Sequence, residues 1–486
     1  MDTILDCYTD EPAGLGVPPY LGTYPRYLAG YLDDPVYLTI DDLRYLKYYN
    51  LDEKKKEISH KSNIKIYNLT SNINRIKDIL KNTTRLFIIL GVHTPGKYLS
   101  AIPGTLDEVE ALISDLDCEK ILTGPAIFGT QLEGGRFFEK EKKGVFQKNE
   151  LLNFSYEEIA DYGVKGANII SQIPSLRIIE IETGHGCSRK KACSFCTEPI
   201  KHKLEFRQNK DILKEIKTFY DLGIRHFRLG KQSDFYMLPD AAALLKDIRS
   251  SCPEIDVLHI DNVNPQSVNS EKGIELTKAI VKYCTEGNIA AFGVESFDRE
   301  VCKENCLNST PEESYEAVKT LNKYGSKRGP NGMPIFLPGI NILFGLKGET
   351  KNTHKENMAW LKRILDENLL LRRINIRQVT IFENTPLYKE AGNKFLRKNR
   401  RFYWKWRNDI RQNIDLPMLN KIVPIGSQLS QVRTEIYDGN TTFARQVGSY
   451  PLIIGIKQRL PLNQYCTVKV TGHMLRSITA EVDTEP

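Results

Sequence analysis

The sequence predicts an α/β protein built from three kinds of structure: an N-terminal Rossmann-like βα domain, a central partial (βα)6 barrel of the TIM type and a small C-terminal β-rich domain. The chain has 486 residues, which is the length of about three domains. Short apolar runs alternate with helical patterns as far as residue 396, and this alternation predicts parallel sheets. Beyond that point the chain shows short strand-like runs separated by turns.

Composition excludes a disordered chain, because 41% of the residues are hydrophobic and 27% are charged. A formal net charge of +7 permits an anionic partner but does not require one. No apolar run reaches the length of about 18 residues that a membrane-spanning helix needs, and the first residues lack the pattern of a signal peptide. We therefore expect a cytoplasmic protein that does not associate with a membrane.

Residues 1–170 form the predicted Rossmann-like domain. Apolar runs at 85–90 and 120–123 are typical of buried strands, and the helical pattern at 105–113 lies between them. Thr105 is well suited to cap that helix. The order strand, helix, strand is the unit from which parallel sheets are built.

Residues 171–396 form the predicted partial barrel, in which six strands alternate with helices. We expect the strands at 176–181, 226–229, 257–260, 289–294, 339–344 and 374–380, and helices that include 211–222, 271–283, 311–324 and 354–365. Since parallel strands of a barrel end on the same side, reactive residues are expected where these strands meet the following loops.

Residues 397–430 form a basic aromatic segment, and residues 431–486 form a small β module. The stretch 397–411 holds seven basic residues, one acidic residue and four aromatic residues. One interpretation is RNA binding, with the cations on phosphates and with Tyr403, Trp404 or Trp406 stacked on bases. The other is an amphipathic helix whose aromatic face packs on the barrel.

Three of the ten cysteines, Cys187, Cys193 and Cys196, lie within ten residues, directly after the first predicted barrel strand. Thiolates are soft ligands, so this spacing favours a metal or iron–sulfur site. Three protein ligands rather than four would leave one metal position open for a substrate or cofactor. The neighbouring residues suit such a site because glycines let the loop close tightly and cations offset negative charge: Gly184, Gly186, Arg189, Lys190 and Lys191.

Two simpler interpretations of the cysteines remain open. A zinc knuckle could be completed by His185 or by a distant cysteine. The thiols could also be unrelated buried side chains. Cys302 and Cys306 could be core residues or auxiliary thiols.

The strand, the glycine-rich loop, the three cysteines and the five further strand–helix units resemble the radical S-adenosylmethionine (radical SAM) superfamily. The gap between Cys187 and Cys193 is two residues longer than the commonest spacing of that superfamily. The resemblance implies that Cys187, Cys193 and Cys196 hold one [4Fe–4S] cluster whose fourth iron binds SAM. It also implies that SAM is cleaved to methionine and a 5′-deoxyadenosyl radical, with electrons from a donor such as ferredoxin or flavodoxin.

The resemblance extends to residues expected around SAM. Phe195 corresponds to an aromatic residue near the adenine, and Gly230 and Gln232 stand where the superfamily contacts the amino group. The segment 293–296 resembles an element near the ribose and carboxylate, which implies roles for Gly293, Glu295 and Ser296. The segment 344–350 also resembles a superfamily loop, although it could simply make a turn and start a helix.

The opening segment 8–30 resembles an archaeal group of Fe–S oxidoreductase-like radical SAM proteins with an N-terminal cobalamin-binding-like domain. Segment 91–96 is similar to the Asp-x-His-x-x-Gly element of cobalamin domains, with Gly91 in place of the aspartate, so His93 is a candidate cobalt ligand. A βα domain without a corrin is the alternative. The C-terminal strands resemble the TRAM barrel of tRNA methylthiotransferases, but a second cluster is not expected because the N-terminal domain has only Cys7 and Cys118.

The predicted function is that of a radical SAM enzyme that modifies a macromolecular substrate, with RNA as the candidate. A cobalamin-dependent radical SAM methyltransferase is one alternative. An RNA-binding protein with a structural Fe–S or zinc site is an alternative from another class, and a zinc-stabilised scaffold is a further one.

Overall fold

The computed structural model describes residues 1–8, 20–49, 68–91, 103–132, 137–141, 144–150 and 152–483. The chain divides into two compact units. The first comprises Met1–Ile181, Lys210–Ile224 and Ile436–Gly439, and the second comprises Glu182–Asn209, Arg225–Glu435 and Asn440–Pro486. The domain boundaries expected at residues 170, 396 and 430 stay predictions.

The first unit contains a five-stranded parallel sheet of order β3-β1-β4-β5-β8. The sheet's first strand along the chain, β1, therefore lies between its second and third strands, β3 and β4, which is the arrangement of a doubly wound α/β sheet. The strands introduced with this unit are β1 (Asp2–Asp6), β2 (Tyr20–Leu21), β3 (Val36–Thr39), β4 (Arg85–Ile89), β5 (Glu119–Thr123), β6 (Thr130–Leu132), β7 (Phe137–Glu139), β8 (Lys148–Asn149) and β9 (Ile178–Glu182).

The helices introduced with this unit span Thr23–Tyr31, Ile40–Tyr49, Ile76–Asn82, Leu106–Ile113, Tyr156–Lys165 and Asn209–Asp221. The second, third and fourth of them share an apolar core with the sheet. Thr105 caps the fourth of them as predicted, because its side-chain oxygen accepts the backbone N–H of Glu108 over 3.2 Å. Leu38, Leu86 and Leu122 are fully buried in the core beneath. The predicted Rossmann-like α/β fold is confirmed.

The second unit contains the strand–helix repeats of the barrel. Its strands are β10 (Gly184–His185), β11 (Glu205–Phe206), β12 (His226–Gly230), β13 (Val257–Ile260), β14 (Asn262–Val263), β15 (Asn288–Glu295), β16 (Phe336–Phe344) and β17 (Arg373–Gln378). β12 pairs with β13, and β14, β15, β16 and β17 pair in that order, always in parallel. The sequence therefore located the barrel strands to within a few residues.

The helices between these strands are Glu198–Lys201, Ala241–Ser251, Pro265–Val268, Glu271–Tyr283, Arg299–Glu304, Pro311–Gly325, Lys351–Asp366 and Pro386–Glu390. Successive residues of a strand face opposite sides of the sheet. In β17, Ile374 and Ile376 are buried, whereas Arg373, Asn375 and Arg377 occupy the alternate positions. The face of β17 that carries Arg373, Asn375 and Arg377 is polar, whereas the interior of a closed eight-stranded barrel is filled with branched apolar side chains.

The basic aromatic segment forms the helix Lys394–Ile410, followed by a π-helical turn at Arg411–Asp415 and the helix Leu416–Ile422. Trp406 is buried, and its ring stacks on His354 with 5.2 Å between centroids. Trp404 is 69% exposed. The segment thus packs one aromatic side chain as an amphipathic helix does and leaves another in solvent.

The C-terminal strands close into a barrel of order β18-β19-β20-β22-β21. They are β18 (Gln428–Asp438), β19 (Thr441–Gln446), β20 (Ile453–Ile456), β21 (Tyr465–His473) and β22 (Ser477–Val482). Of these pairings, β20 with β22 is parallel, and the pairings of β18 with β21, β19 with β20 and β21 with β22 are antiparallel. A five-stranded barrel with this connectivity has the OB arrangement, so the predicted small β domain is confirmed.

Candidate functional site

The loop with the three cysteines begins beside the carboxyl end of β12. The backbone N–H of Thr183 donates to the carbonyl of Gly230 over 3.1 Å. The antiparallel pairing of β10 with β11 then ties the two ends of the loop together. The cysteines therefore lie at the carboxyl end of the parallel strands, where the sequence placed the reactive residues.

A tight turn presents Cys193 and Cys196 from the same loop. The N–H of Cys196 donates to the carbonyl of Cys193 over 3.0 Å. Between them, the hydroxyl of Ser194 and the side-chain oxygen of Asn305 are 2.8 Å apart, and the N–H of Ser194 donates to the Asn305 carbonyl over 2.9 Å. Asn305 is fully buried, so it fixes the turn from outside the loop.

Arg189 supplies a cation next to the thiols. Its Nη1 lies 3.2 Å from the Sγ of Cys193 and donates to the carbonyl of Cys306 over 2.6 Å. Its Nη2 donates to the carbonyl of Leu307 over 3.1 Å. A guanidinium held by two carbonyls stays in place beside the thiol, where its charge favours the thiolate.

The three thiols are electrostatic neighbours. Burial raises the pKa of Cys193 to about 12, and the nearby Cys196 and Cys187 raise it further while Arg189 lowers it. Burial likewise raises the pKa of Cys196 to about 11. Ligation of a metal centre would require Cys193 and Cys196 to lose their protons, because the thiolate is the form that binds metals.

Glu295 lies close to the same thiols, at an irregular end of β15. Its φ is +61°, and the register between β15 and β16 shifts between Phe292 and Glu295. Burial raises the pKa of the Glu295 carboxyl to about 7, and Arg377 counteracts this rise. Glu295 can therefore act as a buried carboxylate or as a protonated donor. Gly293 lies close to this carboxyl group: a Cβ added at Gly293 would stand 3.3 Å from the Glu295 Oε1.

Gln232 offers an amide to the site. It is 1% exposed, and its Oε1 accepts the hydroxyl of Thr183 over 2.9 Å. Its buried Nε2 has no hydrogen-bond partner within the part of the chain that the structure describes. A buried donor without a partner is costly, and a ligand acceptor would satisfy it.

Two further predicted positions have structural contacts. Phe195 packs against the apolar cluster that contains Val301 and Leu346. The hydroxyl of Ser296 accepts the N–H of Asp298 over 3.1 Å, which stabilises the turn after β15. The Ser296 hydroxyl oxygen therefore already has a hydrogen-bond partner in the fold, whereas the Gln232 Nε2 has none among the described residues.

The structure gives no support to a zinc site completed by His185. The ring nitrogens of His185 lie 3.5 Å from a Glu182 oxygen and 3.6 Å from a Glu205 oxygen, and the ring stacks on His202. Among the described residues, no three His, Cys, Asp or Glu side chains are grouped as ligands of a single ion. A cubane cluster differs from one ion, because its thiolates bind separate irons and stand further apart.

Comparison with known proteins adds to this geometry. Residues 181–361 match the family model described as the radical SAM superfamily. This segment begins in β9 and includes the cysteine loop, Gln232 and Glu295. The chain therefore carries a domain of the radical SAM superfamily. It is therefore an enzyme of the class whose cofactors are a [4Fe–4S] cluster and SAM.

This radical SAM protein has archaeal relatives along nearly its whole length. It is 39% identical to an uncharacterized protein of Methanocaldococcus jannaschii, over 99% of this chain and 92% of that one. It is also 39% identical to an uncharacterized protein of Archaeoglobus fulgidus, over 98% of this chain and 89% of the relative.

Solved structures of radical SAM enzymes are similar to it as well. The methyltransferase TsrM from Kitasatospora setae, solved with cobalamin and a [4Fe–4S] cluster, is 13% identical with a TM-score of 0.47, over 79% of this chain and 76% of TsrM. The cobalamin-dependent enzyme OxsB is 13% identical with a TM-score of 0.48, over 82% of this chain and 56% of OxsB.

The structure also bears on the other residues that the sequence analysis of this radical SAM protein named. Cys302 is a core residue, 7% exposed, and its thiol lies 3.1 Å from the carbonyl of Ser296. His93 and residues 9–19 of the opening segment lie outside the described residues. No helix within the described ranges has both the length and the apolar character needed to cross a bilayer.

The sequence did not single out three residues that support the site: Thr183, Asn305 and Arg377. The polar residues at every second position of β17 were a signal for Arg377, because alternation in a barrel strand indicates a polar interior face. Thr183 and Asn305 carried no comparable signal.

Proposed function

We propose that this radical SAM enzyme holds its [4Fe–4S] cluster through Cys187, Cys193 and Cys196 and cleaves SAM reductively in order to modify a macromolecular substrate. The observation that carries the proposal is a tight turn that presents Cys193 and Cys196 on a loop at the carboxyl ends of the strands, with the Arg189 Nη1 3.2 Å from the Cys193 Sγ. Held by these three thiolates, a [4Fe–4S] cluster would supply the electron, taken from a donor such as ferredoxin or flavodoxin, for cleavage of SAM to methionine and the 5′-deoxyadenosyl radical.

The protein's own part in this reaction is to prepare the ligands. Arg189 offsets the negative charge that builds up when the thiols lose their protons. Asn305 and Ser194 hold the turn so that Cys193 and Cys196 stay on the same side of the loop. Three ligands on one short loop leave the remaining position open to a cofactor.

Side chains around the loop are proposed to bind SAM. The unpartnered Nε2 of Gln232 can donate to a carboxylate, and Glu295 can accept from a hydroxyl or an ammonium group. Gly230, Gly293 and Phe195 are assigned to the same region, where Phe195 offers an aromatic ring. Ser296 is assigned to the same region, with its hydroxyl oxygen already accepting one bond.

The test is SAM cleavage by the full-length protein after anaerobic reconstitution. With dithionite as reductant, we expect 5′-deoxyadenosine to accumulate, as measured by mass spectrometry. Cys196→Ala should abolish its formation and remove the brown absorbance, whereas the matched variant Cys118→Ala should retain both. Unchanged product from Cys196→Ala would contradict the ligand assignment.

RNA is proposed as the macromolecular substrate. Support comes from the exposed Trp404 in a basic helix and from the OB arrangement of the C-terminal barrel. The competing function, RNA binding with a structural cluster, differs in two measurements. It predicts RNA binding that survives loss of the cluster, and it predicts no cleavage of SAM.

A cobalamin-dependent methyl transfer is the second candidate. It is favoured by the sheet order of the first unit, in which a ligand site is expected between the carboxyl ends of β1 and β4. We expect the protein to retain the absorbance of added hydroxocobalamin after gel filtration, and His93→Ala to change that spectrum. Passage of all the cobalamin in the small-molecule fraction would contradict this candidate.

A further inference from the structure

Three arginines that are far apart in the sequence come together near the first residues of β17. Arg411 is 5% exposed and donates to the carbonyl of Ile374 over 2.7 Å, which brings it next to Arg373. The guanidinium of Arg373 lies 4.3 Å from the centroid of the Tyr450 ring. Arg476 belongs to the exposed turn between β21 and β22, and its strongest electrostatic interactions with charged groups are with Arg411 and Arg373.

The cluster has more positive than negative charge. Asp415 forms an ion pair with Arg411. Among the described residues, no carboxylate forms an ion pair with Arg373 or Arg476, and the Nε atoms of Arg373 and Arg411 are buried without a hydrogen-bond partner. Guanidiniums that repel one another at short range are stabilised when an anion binds between them.

We infer that Arg373, Arg411 and Arg476 form a binding site for a phosphate group of the substrate. Guanidinium groups bind phosphate oxygens in pairs of parallel hydrogen bonds, which makes arginine well suited to this ligand. The loop that carries Arg476 joins the fourth and fifth strands of the OB barrel, and in OB folds this loop contacts oligonucleotides. Met474 and Leu475, which are 58% and 38% exposed, give the same loop an apolar surface beside the phosphate site.

The proposed phosphate site does not depend on the reaction that the enzyme catalyses. The further proposal that the phosphate belongs to an RNA backbone rests on the proposed function. A free phosphate ester would carry the same chemistry, so the experiment needs one arm for each source.

The test measures the anisotropy of a fluorescent 15-nucleotide single-stranded RNA mixed with the full-length reconstituted protein at several salt concentrations. Arg476→Gln and Arg373→Gln should each weaken binding about tenfold, and each should reduce the slope of log affinity against log salt by about 1. Arg299→Gln is the matched control, because Arg299 is an exposed arginine that forms an ion pair with Glu312. It should bind like the unchanged protein.

A second arm uses thermal unfolding with inorganic phosphate or adenosine monophosphate. If phosphate stabilises the unchanged protein but not Arg476→Gln, the phosphate site is supported. If phosphate stabilises the protein and RNA does not bind, RNA is contradicted as the source of the phosphate. Equal RNA affinity and equal phosphate stabilisation in all variants would overturn the site, as would equal weakening by Arg299→Gln. SAM cleavage without RNA is measured separately for the unchanged protein and for Arg299→Gln, so failure of the site and failure of the proposed chemistry can be told apart.

Discussion

The guanidinium of Arg189 contacts the Sγ of Cys193 at 3.2 Å and is anchored at the same time by the carbonyl of Cys306. The cation comes from the cysteine loop itself, and its anchor comes from the segment after the helix Arg299–Glu304. The electrostatic environment of the thiol therefore depends on the packing of two distant segments.

Arg189→Gln should make the bound cluster harder to reduce, because a positive charge and a hydrogen bond next to a cluster sulfur stabilise the reduced state. Loss of one charged hydrogen bond should lower the reduction potential by on the order of 60 mV for one electron. Electron paramagnetic resonance during a redox titration measures this shift. Arg189→Lys keeps the charge and should show a smaller shift; a potential unchanged in Arg189→Gln would argue against the contact.

Gly186→Ala should prevent the cysteine loop from closing. The φ of Gly186 is +81°, and a Cβ there would lie 2.4 Å from the carbonyl oxygen of Lys203. Gly287→Ala is the matched control, since Gly287 has a φ of +79° but open space around the added carbon. Iron content after reconstitution should fall markedly for Gly186→Ala only. Equal iron content in the two variants would show that the close contact is unimportant.

Cys302→Ala should affect stability and not the cluster. The Cys302 side chain packs in the apolar core near Val301 and Leu346, and burial raises the pKa of its thiol to about 12. Loss of this packing should lower the free energy of unfolding by about 1 kcal/mol. Urea unfolding and iron analysis measure the two effects. A drop in iron content would instead reveal an auxiliary ligand, and Cys306→Ala gives the comparison with a less buried thiol.

His259→Gln should reduce the acid sensitivity of the fold. The Nδ1 of His259 accepts the N–H of Ser449 over 3.2 Å, and burial lowers the pKa of the imidazole to about 4. The unfolded chain takes up this proton near pH 6.5, before the folded protein does, so stability should fall as the pH drops from 6.5 towards 4. The slope from this one group is at most about 1.4 kcal/mol per pH unit.

Urea unfolding at pH 7, 6 and 5 checks the prediction for His259. The difference in free energy of unfolding between the unchanged protein and His259→Gln should shrink as the pH falls. A difference that stays constant across this range would show that His259 does not titrate as its burial requires.

Local patterns account for the parts of the fold that the sequence predicted well. The strand predicted at 257–260 and the helix predicted at 271–283 have the same bounds in the structure, because apolar periodicity and capping residues are read within a few neighbouring positions. The helix Ala241–Ser251 was expected from the alternation of strands and helices, but the sequence analysis gave it no bounds. Asp240 stands at its N-cap without making a side-chain hydrogen bond.

The candidate site was predicted only in part. Cys187, Cys193 and Cys196 follow one strand, so their proximity is a consequence of spacing. Gln232 and Glu295 were identified through resemblance, but the free Nε2 of Gln232 and the positive φ of Glu295 depend on the folded environment.

The sequence by itself determined the α/β class, the order of strands and helices, and the loop on which the three cysteines lie, since each depends on residues close together in the chain. Only the tertiary structure decided which distant groups meet: Asn305 with Ser194, and Arg373 with Arg411 and Arg476. Periodicity records whether a side chain is buried but not what it is buried against. Contacts between distant segments arise when strands pair and helices pack, and these steps set both the charge around the thiols and the charge in the arginine cluster.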